Sequence, residues 1–260
     1  MTHEDLLPGA NQIVAARRAV GKLAGLPEGQ RPATLDDGYW MQKVAADLWG
    51  DEVVGWKVGA TSKEVQKLFG IGEPVYGPVF KRTVFQSPAR LEASAFQHLM
   101  LESEFAFTFR ESLPARSTPY ARADVLAAVD ALIPAIEIIS PRFKRLTVDH
   151  VPQLVADFCG NGAAVFGAPC KTWRAHDLPL HAVSLLIDGV KRQEGMGAMV
   201  LGDPVNVLEW FVNALRVRGL AVMKGQFVMT GTMTGIHTPK PGETAVADFG
   251  DLGRVEVVFD

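Results

Sequence analysis

Sulfur is scarce in this chain. Its 260 residues contain two cysteines, Cys159 and Cys170, too few for a disulfide framework or a cysteine-based zinc site. A basic block is also missing. The 26 Lys and Arg are interspersed among 29 Asp and Glu, with a formal net charge of −3, so the concentrated positive face that a phosphate backbone needs is not there. We therefore expect no nucleic-acid partner. Apolar runs stop short of the roughly 20 residues of a membrane-spanning helix. The opening MTHEDLLPGA carries acidic residues where a secretory leader would carry an apolar core. These absences set the expectation of a reducing, cytoplasmic compartment and no membrane partner. Internal repeats and low-complexity tracts are absent too. What is present is an ordinary globular composition, 48% hydrophobic and 21% charged, on a chain long enough to bury a large core.

The first fifty residues read as helical. Ile13, Val14, Ala15 and Val20 suit a helix ending near Gly25, and Thr34 with Asp37 announces a second helix running to about Trp49. Residues 52–58 suit a strand, and Ser62 caps a short helix that Gly70 closes. From about residue 75 the texture changes to short apolar runs punctuated by Gly, Pro and Asp. Among these, Asp188-Gly189 marks a hairpin. Two longer helices interrupt them, one over roughly 122–131 and one from Asp203 and Pro204 to Gly219. Several strands follow one another directly, so regular βαβ alternation is not expected. The reading is an α+β fold: a helical N-terminal segment over 1–50, then a mixed, mainly β catalytic domain over 51–260 with peripheral helices.

The segment HLMLESEFAFTF, residues 98–109, carries the chemistry. As a strand it places Leu99, Leu101, Phe105, Phe107 and Phe109 on one face, and Met100, Glu102, Glu104 and Ala106 on the other. Two glutamates at i and i+2 then project together, roughly 7 Å apart by strand rise. Like charges in so apolar a strand are costly unless neutralised. Glu137 sits in LIPAIEIIS, a run with no other charge. Three such carboxylates suit a hard divalent cation, Mg²⁺ or Mn²⁺, with coordination positions left for water or substrate. His3, His98, His150, His176, His181 and His237 show neither an i, i+4 nor an HxH spacing. They read as surface or structural residues, with His98 alone on the Glu102 face.

These stretches, together with DFCGNGAAVFG, QFVMTGTMTG, GWKVGATSKEVQKLFG and GDPVNVLEWFVNALRVRG, resemble the fumarylacetoacetate hydrolase superfamily. The branch is that of the 2-keto-4-pentenoate hydratases and 4-oxalocrotonate decarboxylases. The resemblance runs over nearly the whole chain and implies that superfamily's C-terminal-type fold, a 2-oxo acid substrate, a homo-oligomer and metal ligands at Glu102, Glu104 and Glu137. It places the glycine-flanked lysine at Lys57, which would bind a substrate carboxylate or stabilise an enolate oxygen. Thr230-Gly231-Thr232 matches a substrate loop whose backbone NH groups and hydroxyl can hold a carboxylate. Asp157 and Asn161 match a stretch that lines the pocket in relatives. Met100, Phe158 and Met233 are expected as pocket walls.

Hydratases of the branch commonly carry an acidic residue where this chain has Val75, so Glu73, Asp157 or a metal-bound water is the candidate acid/base. The implied reaction is hydration of a 2-hydroxy-dienoate or 2-oxo-alkenoate in aromatic catabolism. The alternatives are a 4-oxalocrotonate-type decarboxylation or a C–C hydrolysis, and, outside enzymes, a metal-binding relative without turnover.

Overall fold

The computed structural model describes residues 2–143 and 151–260; His150 lies outside the described residues. Two helices open the chain, α1 (His3–Arg18) and α2 (Leu35–Trp49). The Thr34 hydroxyl accepts from the Asp37 NH while the Asp37 carboxylate accepts from the Thr34 NH, and Gly50 ends α2 at φ 69°. This is the reciprocal cap that the sequence predicts. By contrast α1 stops at Arg18 rather than near Gly25. The chain turns through Val20 at φ 50°, and Leu23 NH then reaches the Arg142 carbonyl at 2.8 Å. A tertiary backbone bond wins over local helical pattern.

Next come β1 (Val53–Gly59), the Ser62-capped α3 (Lys63–Phe69), β2 (Val75–Phe80), β3 (Val84–Gln86), β4 (Ala89–Leu91) and β5 (Met100–Phe109). Then follow α4 (Arg122–Ala128), β6 (Val129–Ile139), α5 (Val151–Ala156) and β7 (Asn161–Phe166). The hairpin β8 (Ala182–Ile187)–β9 (Val190–Met196) turns at Asp188 and Gly189, both at positive φ. The last elements are α6 (Pro204–Val217), β10 (Phe227–Thr232), β11 (Thr244–Asp248) and β12 (Arg254–Phe259). Helix α4 is shorter than expected because Val129 already pairs with Phe109 of β5.

The strands form two sheets, one ordered β2-β1-β10-β5-β6-β7-β3 and one ordered β4-β12-β11-β8-β9. The fold is mixed α+β, as the sequence indicates. Phe105, Phe107 and Phe109 on one face of β5 share a core with Val183, Leu185, Ala247, Val255 and Val257 of the second sheet. Burying each such phenylalanine contributes about 1.5–3 kcal/mol. On the other face the small Ala106, Ala135 and Ala164 pack with Val79, Phe166, Phe227 and Met229. Helices α1 and α2 pack with Phe80, Phe143 and Phe158 in a core of their own. The amide of Gln42 ties α2 to the carbonyls of Tyr76 and Val155, at 2.9 and 2.7 Å.

Candidate active site

In the antiparallel β5–β6 ladder Glu102 lies directly opposite Glu137, and Glu104 opposite Ala135. Strand alternation and register together bring three carboxylates to one spot. One oxygen from each lies within 4.8 Å of the others. Glu104 and Glu137 are fully buried, whereas Glu102 opens onto a cavity.

Each buried ligand candidate is held from behind. Gly231 NH donates to Glu104 Oε2 at 2.7 Å, and Asn161 Nδ2 donates to Glu137 Oε1 at 2.9 Å. Gly231 sits at φ +103°, and a Cβ there would lie 2.0 Å from Thr61 Oγ1. Only glycine lets the β10 backbone swing its NH onto Glu104.

Glu104 Oε1 and Glu137 Oε2 are buried and have no partner among the described residues. Buried carboxylate oxygens are normally hydrogen-bonded. Three carboxylates face one ammonium, Lys57, whose Nζ is 3.4 Å from Glu137 Oε1; two negative charges are left over. Burial, with Glu137 adding repulsion against the relief from Lys57, pushes the Glu102 carboxyl up to about 7. Burial, with Glu137 and Glu102 adding to it, pushes Glu104 well above the usual carboxylate range. An oxygen-only donor set, orphaned oxygens and a surplus of two negative charges all fit a hard divalent cation.

Lys57 projects from β1, between β2 and β10, and donates to the Cys159 carbonyl at 3.2 Å. The backbone at Phe158 and Cys159 comes close because Gly77 opposite Lys57 has no side chain; a Cβ there would sit 2.4 Å from the Phe158 carbonyl oxygen. Burial alone would lower the Lys57 pKa, but Glu137 and Glu102 outweigh it and raise it above the ordinary lysine value. The group stays an ammonium, a donor and a positive charge instead of a base.

The cavity, about 400 Å³, has Lys57 and Glu102 on its floor and Thr61 and Thr232 as further polar lining. Its walls are apolar: Val65, Phe69, Val75, Met100, Met199 and Ile236. Thr232 Oγ1 donates to the Gly235 carbonyl at 3.0 Å.

Other expected site residues lie elsewhere. Asn161 is buried behind Glu137, and the Gly231 NH is committed to Glu104 and so is turned away from any substrate carboxylate. Asp157 is sealed beneath the site, with Oδ1 2.5 Å from Arg17 Nε and Oδ2 accepting from Arg142 NH at 2.6 Å. Glu73 is exposed on another surface, where it accepts from Trp210 Nε1 at 3.2 Å. Neither lines the cavity. His98 stays outside the carboxylate cluster. Met100 is a wall as expected, whereas Phe158 and Met233 are core residues. Thr61, Met199 and Ile236 were not anticipated. Continuing the alternation of β1 from Lys57 through Gly59 reaches Thr61, a signal available in the sequence.

No protein-family model matches the chain. It is 27% identical to a 2-keto-4-pentenoate hydratase of Paraburkholderia xenovorans, over 100% of this chain and 97% of that protein. It is also 27% identical to a 4-oxalocrotonate decarboxylase of Pseudomonas putida, over 100% and 98%. The solved structure of the 4-oxalocrotonate decarboxylase from Pseudomonas putida G7, complexed with magnesium and adipate, superposes with a TM-score of 0.92. That match covers 100% of this chain and 99% of the other, at 26% identity. Along its whole length the chain is similar to these hydratases and decarboxylases, and it shares the fold of the 4-oxalocrotonate decarboxylase. Likeness alone therefore does not separate the two reactions. The difference has to be sought in the cavity.

Proposed function

We propose that this chain is a divalent-metal-dependent hydratase that adds water to a 2-hydroxy-dienoate or 2-oxo-alkenoate, in the breakdown of aromatic compounds. The observation that carries the reading is the set of three convergent glutamates with orphaned oxygens, beside a protonated lysine, at the floor of an apolar cavity. Glu102, Glu104 and Glu137 would hold Mg²⁺ or Mn²⁺. When bound, the cation supplies Lewis acidity toward the oxygens of a 2-oxo acid.

Lys57 holds an ammonium beside the same position, where it offsets negative charge developing on the C2 oxygen. Its anchoring by Glu137 and the Cys159 carbonyl fixes that charge before substrate arrives. The Thr61 hydroxyl would donate to the carboxylate, while Thr232, whose own hydrogen goes to the Gly235 carbonyl, offers an acceptor that can position water. The walls of Val65, Phe69 and Val75 suit an uncharged hydrocarbon tail and exclude bulk water. With Asp157 and Glu73 away from the cavity, the Thr61 and Ser62 hydroxyls that line it would relay protons through water. We further expect a cytoplasmic homo-oligomer, which light scattering and cell fractionation would test.

Decarboxylation of a 4-oxalocrotonate-type acid is the second reading, favoured by one observation: the apolar Val75 wall. Incubation of the Mg²⁺-loaded protein with 2-hydroxypenta-2,4-dienoate and with 4-oxalocrotonate separates the two. Hydrated product from the first substrate supports the proposal. CO₂ release from the second, without hydration of the first, replaces it with decarboxylation. If neither turns over, yet Mg²⁺ raises Tm and oxalate adds nothing further, the chain is a metal-binding relative without catalysis.

A further inference from the structure

The face of β5 opposite the glutamates carries a different cluster. His176 follows a 3-10 turn (Trp173–Ala175), His181 immediately precedes β8, and Asp251 lies in the turn (Gly250–Leu252) between β11 and β12. One ligand atom from each lies within 4.8 Å of the others. The turns are pinned from below by Trp173, Leu178, Phe249 and Leu252, all buried. The His181 ring packs against Phe105, with centroids 5.7 Å apart.

The orientation of His181 is informative. Its Nε2 lies 2.7 Å from the Phe249 carbonyl oxygen. A carbonyl only accepts, so Nε2 carries the hydrogen and, in the neutral ring, Nδ1 bears the lone pair. That Nδ1 faces Asp251 Oδ1 at 4.0 Å, while His176 Nδ1 faces Asp251 Oδ2 at 3.4 Å. Both separations exceed an N–H···O hydrogen bond. They leave space between the two imidazoles and the carboxylate for one ion, whose nitrogen and oxygen donors stand about 2.0–2.2 Å from it. A histidine whose second ring nitrogen is fixed on a carbonyl is the arrangement that orients metal-ligating imidazoles.

We propose that His176, His181 and Asp251 form a second metal site, selective for a borderline transition cation of the Zn²⁺ class. Two imidazole nitrogens and one carboxylate suit Zn²⁺ or Co²⁺ and not Mg²⁺, so the two faces of β5 sort cations by ligand softness. The side chains of His176 and His181 are 20% and 11% exposed and that of Asp251 is 72% exposed. The site therefore opens to solvent on the Asp251 side, where water would complete the coordination.

The test uses the intact protein, stripped of metal and then equilibrated with excess Mg²⁺ to fill the glutamate site and with Zn²⁺ as probe. After desalting, wild type and E104Q should each retain about one equivalent of Zn²⁺. H176A and D251N should retain none while keeping the wild-type far-ultraviolet circular dichroism. Co²⁺ in place of Zn²⁺ should give visible d–d absorption that H176A abolishes. His181 is not the test residue, because its ring also packs on Phe105. Zn²⁺ retained equally by H176A, D251N and wild type, or no Zn²⁺ retained by wild type, overturns the site.

Discussion

Two clusters of buried charge lie side by side in this molecule, and they have been finished differently. Around Asp157 each carboxylate oxygen has a donor, from Arg17 Nε and from Arg142 NH, and Arg17 also donates to the carbonyls of Asp157 and Asn161. Around Glu104 and Glu137 one oxygen of each is without a partner among the described residues, and the charge sums to a negative excess. Both clusters are as deeply buried as charges become in proteins, and burial raises the carboxyl pKa in both. The difference is closure. A closed cluster is structure; an open one, with its deficit facing a cavity, is a place for a ligand. Asn161 joins them, since its carbonyl accepts from Arg17 and its side chain donates to Glu137. The sealed cluster braces the open one.

The largest expected effect comes from closing the open cluster. Glu104→Gln keeps the side chain's shape and an acceptor for Gly231 NH but removes a charge. It should abolish measurable Mg²⁺ binding by calorimetry and cost on the order of 1,000-fold in kcat/KM. In the metal-free state the same variant should melt higher than wild type at alkaline pH, where Glu104 would otherwise ionise against Glu102 and Glu137. A variant that melts lower without metal would mean that Glu104 is already compensated. Next is Lys57→Met, for which about a 100-fold loss in kcat is expected, with a smaller change in KM. Since the folded environment raises the Lys57 pKa, the pH–rate profile of wild type should show no alkaline loss attributable to this group below the ordinary lysine value of about 10.4.

Much of this contrast was written in the sequence, but unevenly. Two-residue alternation places Glu102 with Glu104, and the caps of α2, α3 and α6 follow from Thr34, Ser62 and Asp203, because these signals are local. That Glu137 should stand exactly opposite Glu102 depends on the β5–β6 register, a long-range pairing; the sequence supplied only the oddity of a lone charge in an apolar run. The surroundings of Asp157 are hidden from the sequence for the same reason. A motif position offers no hint that Arg17, 140 residues away, will cap its oxygen. His176, His181 and Asp251 are not legible as a group, because the spacing of the two histidines matches neither a helix nor a strand. Two turns of the second sheet bring them together.

Breaking the closed cluster should therefore cost stability and spare chemistry. Asp157→Asn leaves the Arg17 guanidinium buried without its counter-charge, and removing one partner of such a pair costs about 3–5 kcal/mol. Chemical denaturation should show that loss, while kcat of the folded, Mg²⁺-saturated protein stays within a few-fold of wild type. A hundredfold fall in kcat at unchanged stability would reverse the comparison and make Asp157 the acid/base after all.

The smallest effect is a pH dependence with opposite signs in the two metal states. In the metal-free protein Glu102 titrates at about 7 against an unperturbed 4.5, and Glu104 also lies above that value. Between these limits the folded chain binds more protons than the unfolded one, so metal-free stability falls as pH rises from about 4.5 through about 7. Metal ligation requires both carboxylates ionised, so the Tm increment produced by a fixed Mg²⁺ concentration should grow across the same window. Glu104→Gln should reduce the metal-free trend to the weaker slope of Glu102 and remove the Mg²⁺ increment altogether. Parallel melting curves with and without Mg²⁺ from pH 5 to 8 are the measurement. An increment that stays constant over that range would mean the glutamates are already ionised without metal, and the open cluster would then have to be neutralised by something other than protons.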